Sequence, residues 1–145
     1  RKLAVVRDLG AEAVDYSVPG WADKAVAALG GLAPTVLLDG AGGAPGQEAF
    51  AVLGDGGRLV AYGAAGGFLE PDPTEVRRRH LEVQGVTGAQ LAPDGIRRLT
   101  AEAVQRRRQG AWKPVVRQRY PLERAADAHR GLEDRSAIGK TLLIV

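Results

Sequence analysis

The sequence predicts an α/β fold, a doubly wound parallel sheet, and three observations carry that prediction. Thr35–Gly43 (TVLLDGAGG) is a short, unbroken apolar run that dissolves into glycines, and Arg58–Gly67 (RLVAYGAAGG) is a second one built the same way. A continuous apolar run of that length suits a strand covered on both faces, as the strands of parallel sheets are. The third observation is alternation: helical patterns separate the apolar runs, as parallel βαβ units require. In open sheets of this kind, ligands gather at the carboxyl ends of the strands. The two glycine exits are therefore the first candidates for a binding floor.

Each element follows from its local pattern. Lys2–Leu9 reads as a helix with Leu3, Val6 and Leu9 spaced along it, stopped by Gly10. Ala13–Tyr16 is a short strand candidate and Ser17–Gly20 a turn. Trp21–Leu29 is a helix that should bury Trp21, Ala25, Ala28 and Leu29, and Gly30 and Gly31 end it. Thr35–Asp39 is a strand, Pro45–Leu53 a helix burying Ala49, Phe50 and Leu53, and Arg58–Tyr62 the next strand after the tight turn Asp55–Gly57. Pro71–Pro73 interrupts the rhythm. Thr74–His80 then forms a charged helix and Leu81–Val86 an alternating strand. Ala92–Asp94 opens a longer helix, Gly95–Gln109, with an apolar stripe of Ile96, Leu99, Ala103 and Val104. Pro114–Tyr120 is extended. Pro121 introduces the helix Leu122–Leu132, whose apolar face carries Leu122, Ala125, Ala126, His129 and Leu132. Thr141–Val145 closes the chain as a strand.

Composition narrows the class. At 145 residues, 45% of them hydrophobic and 26% charged, the chain is long and apolar enough for an ordinary globular core. No apolar run approaches the roughly 20 residues of a membrane helix, so no membrane partner is expected. Cysteine is absent, which removes disulfides and thiolate metal sites and makes a cytoplasmic setting the default. Two histidines, His80 and His129, are too few for a zinc site within the chain, so no metal ligand is assigned. A net charge of +3 does not call for a nucleic-acid partner. Methionine is also absent, and Arg1 opens straight into a helical pattern without a cap, which suggests a piece of a longer chain.

The order of local signatures resembles the medium-chain dehydrogenase/reductase superfamily, in its zinc-binding dehydrogenase and NADPH:quinone oxidoreductase-like branch. KLAVVRDLGA at Lys2–Ala11 with Asp15 and Tyr16 looks like the second half of that family's dinucleotide-binding domain. TVLLDGAGG followed by LGDGGRLVAYG is similar to its next two strands, and the tail from GAWKPVVRQRYPLERAADAH to GKTLLIV resembles its C-terminus. The resemblance implies a partial Rossmann fold lacking its first βαβ unit, with a C-terminal helix-strand tail. Residues 1–88 would be the second half of the cofactor domain. Residues 89–145 would pack toward an N-terminal GroES-like substrate domain expected before Arg1. The family's glycine fingerprint, which seats the pyrophosphate on a helix N-terminus, is expected there too. Gly40–Gly46 (GAGGAPG) mimics it, but it has the wrong spacing and follows the wrong strand.

The same resemblance implies a cofactor, NADPH with NADH as the alternative, and the residues that would touch it. Lys2 stands where a fixed ammonium would favour the ribose 2′-phosphate. Tyr16 resembles a tyrosine bordering that phosphate, although its loop is one residue shorter than the common pattern. Arg135 lies where an arginine can return to the phosphate. Gly40, Ala41 and Gly42 would lie beside the adenosine or ribose, where a larger side chain would block the path. Tyr62, Gly63, Ala64 and Ala65 would follow the nicotinamide side, and Val86, Thr87 and Gly88 would complete its wall. His129 reads as a packing residue and Asp39 as a structural strand cap, so no catalytic acid or base is assigned. The implied reaction is hydride transfer from NADPH to a quinone, enone or related carbonyl substrate, with the piece by itself inactive. Two other readings stay open. Leu81–Val86 could pair with its twin in a homodimer. The arginines of Ile96–Arg119 could meet nucleic-acid phosphates, although a solvated helix face explains them as well.

Overall fold

The computed structural model describes residues 1–85 and 93–145, in two compact units, Arg1–Gln90 and Leu91–Val145. The first contains α1 (Lys2–Asp8), α2 (Trp21–Ala28), β1 (Val36–Asp39), α3 (Gly43–Val52), β2 (Arg58–Ala61), α4 (Pro73–Arg78) and β3 (Glu82–Gly85). Its three strands form a parallel sheet in the order β1-β2-β3, with Val36, Arg58 and Glu82 in one row and Asp39, Ala61 and Gly85 in another. The expected parallel α/β architecture is therefore present. All three strands release the chain at the same edge, and both glycine exits lie there.

The core of this unit lies between the sheet and its crossover helices. Phe50 from α3 and Leu53 just after it close on Leu59 of β2, with Leu69 and Leu81 completing the cluster and Leu37, Ala61 and Val76 at its margin. Leu59 is fully buried, and burying a leucine contributes about 1.5–3 kcal/mol. Arg79 is also buried and takes the place of an apolar residue. Its guanidinium donates to the Asp55 carboxylate (3.1 Å) and the Phe50 carbonyl (3.3 Å) and lies 5.5 Å from the Phe50 ring centroid. The Arg79 carbonyl also accepts from Gly56 N at 2.8 Å, so one residue ties the end of α4 to the turn after α3. Asp72 starts α4 by accepting from Thr74 N at 2.8 Å, and Pro73 occupies the first helical position.

The second unit contains α5 (Pro93–Arg108), β4 (Val116–Pro121), a 3₁₀ turn (Leu122–Arg124), α6 (Ala125–Glu133) and β5 (Lys140–Ile144). β4 and β5 pair in parallel around α6, from Val116 opposite Lys140 to Pro121 opposite Ile144, with an irregularity between Val116 and Gln118. Ala128 and Ile138 are buried there, whereas Leu143 and Ile144 are exposed. Within α5, Arg97 pairs with Asp94, and Arg106 pairs with Glu102 at 2.8 Å.

Several sequence expectations are corrected. Ala13–Tyr16 is not a strand: among the described residues no strand pairs with it, and the Asp15 carboxylate accepts from Ser17 N (3.0 Å) and Ser17 Oγ (2.6 Å), which turns the chain. α2 is rotated from its expected face. Ala22 is buried with Trp21, Ala25 and Val26 partly so, while Ala28 and Leu29 are exposed. α3 begins at Gly43, two residues early, because proline is tolerated in a first turn. His129 is exposed rather than packed, since α6 turns Ala128 inward. The α5 stripe is likewise exposed at Ile96, Leu99 and Val104.

Candidate cofactor floor at the strand exits

Asp39, the last residue of β1, organises the first exit. It is 4% exposed. Its Oδ1 accepts from Ala41 N at 3.0 Å and Gly42 N at 2.9 Å, folding the backbone over the strand end. Its backbone carbonyl accepts from Tyr62 N (2.8 Å) and Gly63 N (3.2 Å), which joins the end of β1 to the second exit. The two loops then bind each other. Gly66 N donates to Ala41 O at 2.8 Å and Gly43 N donates to Gly67 O at 3.1 Å.

This mutual contact accounts for the glycines. Gly42 has φ +65° and ψ −163°, a conformation open essentially only to glycine. A Cβ on it would overlap the Gly67 carbonyl oxygen, and one on Gly63 would overlap the Gly40 carbonyl. Gly40 leaves room for the Tyr62 ring, whose Oη lies 2.7 Å from where a Cβ would stand. Close approach of one loop to the other, without any ligand, is sufficient reason for glycine at 40, 42 and 63.

The structure brings some of the sequence-derived residues together and leaves others apart. Tyr16, Gly40 and Ala41 line one cavity of about 160 Å³ with Trp21, Asp39 and Pro45. The Tyr16 ring meets Trp21 edge-on, with centroids 6.4 Å apart. Beside it, hydrogen bonds from Ser17 hold the Asp15 carboxyl below its ordinary range. Tyr62, Gly63, Ala64 and Ala65 follow β2 on the adjoining exit. Lys2 is exposed at the start of α1 and joins no ion pair among the described residues. Arg135 follows α6 in the second unit with φ +57°. Val86, Thr87 and Gly88 lie outside the described residues. Sequence reasoning missed Trp21, Gly66 and Gly67 at these loops. An aspartate followed by small residues was the available signal for the Asp39 turn.

The sequence profile of the zinc-binding dehydrogenase family matches residues 9–143. This chain belongs to the zinc-binding dehydrogenase family. Quinone oxidoreductases of Lama guanicoe and Homo sapiens are each 31% identical to it over 96 residues. Those residues are 65% of this chain and 28% and 29% of the relatives. A crystal structure of an NAD-dependent alcohol dehydrogenase superposes with a TM-score of 0.79 at 31% identity, over 99% of this chain and 41% of that one. A mycobacterial protein solved in complex with NADPH superposes with a TM-score of 0.82 at 26% identity, over 99% of this chain and 47% of that one. This member of the family thus spans less than half the length of the relatives it matches.

What the floor can hold follows from its groups. A cavity of about 160 Å³ accommodates one ring system and not a whole dinucleotide. The start of α3 is a poor seat for phosphate. Gly42 N is bound to Asp39, Gly43 N to Gly67, and Pro45 has no N–H to offer. A buried carboxylate at a helix N-terminus also repels an anion. GAGGAPG is accordingly a turn between strand and helix and not a pyrophosphate loop. Among the described residues, no group of three or more His, Asp or Glu side chains that could hold a metal ion comes together. No step is assigned to zinc here. No helix among them is long and apolar enough to cross a membrane.

Proposed function

We propose that this chain supplies the second half of the cofactor domain and the C-terminal segment, with the boundary near residue 88, of a cytoplasmic oxidoreductase. That enzyme would reduce a quinone, enone or related carbonyl compound with NADPH, NADH being the second choice. The observation that carries this reading is the pair of tethered glycine exits at the carboxyl edge of a parallel sheet. Kinship to quinone oxidoreductases and to a protein complexed with NADPH supports the chemistry. NADPH, when bound, supplies the hydride. The chain's own part is positional: Tyr16, Gly40, Ala41 and Gly42 border the adenosine side, Tyr62–Ala65 and the segment Val86–Gly88 flank the nicotinamide, and Lys2 favours the extra phosphate. No side chain here is assigned as acid or base, in keeping with a reaction whose chemistry belongs to the cofactor.

The test is a chimera. This chain replaces the matching C-terminal portion of a mycobacterial quinone oxidoreductase, and NADPH consumption is followed with menadione as acceptor. Turnover is expected. A folded chimera that consumes no NADPH overturns the proposal.

A homodimer through the strand at Leu81–Val86 belongs to the same reading. β3 is an outer strand of the described sheet, with Glu82, Val83 and Gln84 exposed. Sedimentation should show a concentration-dependent dimer, and a monomer at every concentration removes it.

A further inference from the structure

Three aspartates of this chain are followed directly by glycine: Asp39–Gly40, Asp55–Gly56 and Asp94–Gly95. Such a step carries its own reaction, because the glycine nitrogen can close a five-membered ring on the aspartate side-chain carboxyl. Glycine has no Cβ to hinder the approach and the greatest backbone freedom to turn toward it. Whether the ring closes depends on how firmly the carboxyl and the amide are held.

Two of the steps are held. Asp39 is 4% exposed, and its Oδ1 accepts from Ala41 N at 3.0 Å and Gly42 N at 2.9 Å. Asp55 is exposed, but one buried residue clamps both reacting groups. Arg79 Nε donates to its Oδ1 at 3.1 Å, and the Arg79 carbonyl accepts from Gly56 N at 2.8 Å. Asp94 has neither protection. It is the second residue of α5, a helix in which no residue is buried. Its side chain is 89% exposed and pairs with Arg97, itself 74% exposed. A surface ion pair of this kind holds by only about 0–1 kcal/mol. The Gly95 amide lies in the first turn, where N–H groups have no acceptor within the helix and the end frays. A Cβ at Gly95 would meet nothing within 4 Å, so there is room for a ring.

We propose that Asp94–Gly95 is a site of spontaneous modification, at which aspartate rearranges to isoaspartate, and that the hydrogen bonds at Asp39 and Asp55 keep those steps from the same reaction. The Gly95 nitrogen attacks Cγ of the protonated Asp94 carboxyl. A C–N bond forms, a C–O bond breaks, and the carboxyl OH leaves with the amide proton as water. Water then adds to the resulting succinimide. Opening at the original peptide carbon leaves the chain running through the side-chain carbonyl, with a free α-carboxylate. One water leaves and one enters, so the atoms balance and nothing is oxidised or reduced. The backbone gains one atom in the first turn of α5, and the carboxylate moves away from Arg97.

The experiment ages the whole chain at neutral pH for several weeks in water enriched in the heavy oxygen isotope, followed by digestion in ordinary water. Each passage through the ring leaves one heavy oxygen at the residue. An endoproteinase that cuts before aspartate and not before isoaspartate scores each of the three steps separately. The folded chain should gain heavy oxygen and resist cleavage at Asp94, with Asp39 and Asp55 unlabelled. Gly95→Ala, which adds a methyl group into open space and favours the helix, should slow the labelling several-fold. In guanidinium chloride all three steps should label at similar rates, because the clamps are gone.

No label at Asp94 in the folded chain overturns the site, as does equal labelling in Gly95→Ala. Equal labelling of all three steps in the folded chain overturns the clamps. So does silence at Asp39 and Asp55 in the unfolded chain, since neighbouring sequence and not the fold would then set the order.

Discussion

Gly42→Ala tests whether the two exits are joined to each other by backbone contact. The substitution acts in two ways. Its φ of +65° with ψ of −163° lies in a region that a residue bearing a Cβ enters at a cost of about 1–3 kcal/mol. The new Cβ also overlaps the Gly67 carbonyl oxygen, so the loops must part and the Gly43–Gly67 hydrogen bond is lost, for about 0.5–1.5 kcal/mol more. Together these predict about 2–4 kcal/mol of destabilisation. Gly56→Ala is the control. Gly56 also has positive φ, at +71°, but a Cβ there meets nothing within 4 Å, so it should lose only about 1–2 kcal/mol. Both are measured by urea unfolding in a Trp112→Phe background, where Trp21 reports on the first unit alone. At a urea slope of about 2 kcal/mol/M, Gly42→Ala should lower the midpoint by roughly 1–2 M. A Gly42→Ala midpoint equal to that of Gly56→Ala would refute the loop contact.

Three further outcomes are expected. Arg79→Ala should lose about 2–3 kcal/mol in the same unfolding measurement, from lost packing on Phe50 and the lost hydrogen bonds to the Phe50 carbonyl and the Asp55 carboxylate. Asp55→Asn, at an exposed partner, should lose under about 1 kcal/mol; equal losses would count against the buried guanidinium. In α6, hydrogen bonds and charge from Arg124 and Arg130 hold the Asp127 carboxyl below 3.8, its ordinary value. The stability this adds is present above 3.8 and lost as the pH falls through the lower folded value. The difference in Tm between the parent and Asp127→Asn should therefore shrink toward zero in acid, and a difference that is constant with pH contradicts it. Calorimetric titration of NADPH into this chain should give no saturable binding, because at the start of α3 the Gly42 and Gly43 amides are already bound and Pro45 has none. Micromolar binding would show a phosphate seat elsewhere in the chain.

Much of the fold was legible because apolar runs and glycine stops report local geometry directly. Val36–Asp39 and Arg58–Ala61 fall inside the expected strands, and Phe50 and Leu53 face the core as their spacing required. The errors share one cause. Periodicity shows which residues of a helix are apolar, but neighbours decide which of them are covered. Leu29 and His129 sit on apolar stripes and are exposed, while Ala22 and Ala128 take the buried positions. Ala13–Tyr16 has strand composition but no strand beside it among the described residues, so the Asp15–Ser17 turn prevails.

By itself the sequence determined the parallel α/β pattern, the glycine-rich exits and the family resemblance, all properties of short stretches in order. Only the tertiary structure decided why those glycines are there. Hydrogen bonds between residues more than twenty positions apart draw the loops together until Gly42 touches Gly67 and Tyr62 rests on Gly40. Such contacts depend on strand register, and no single stretch of sequence contains it.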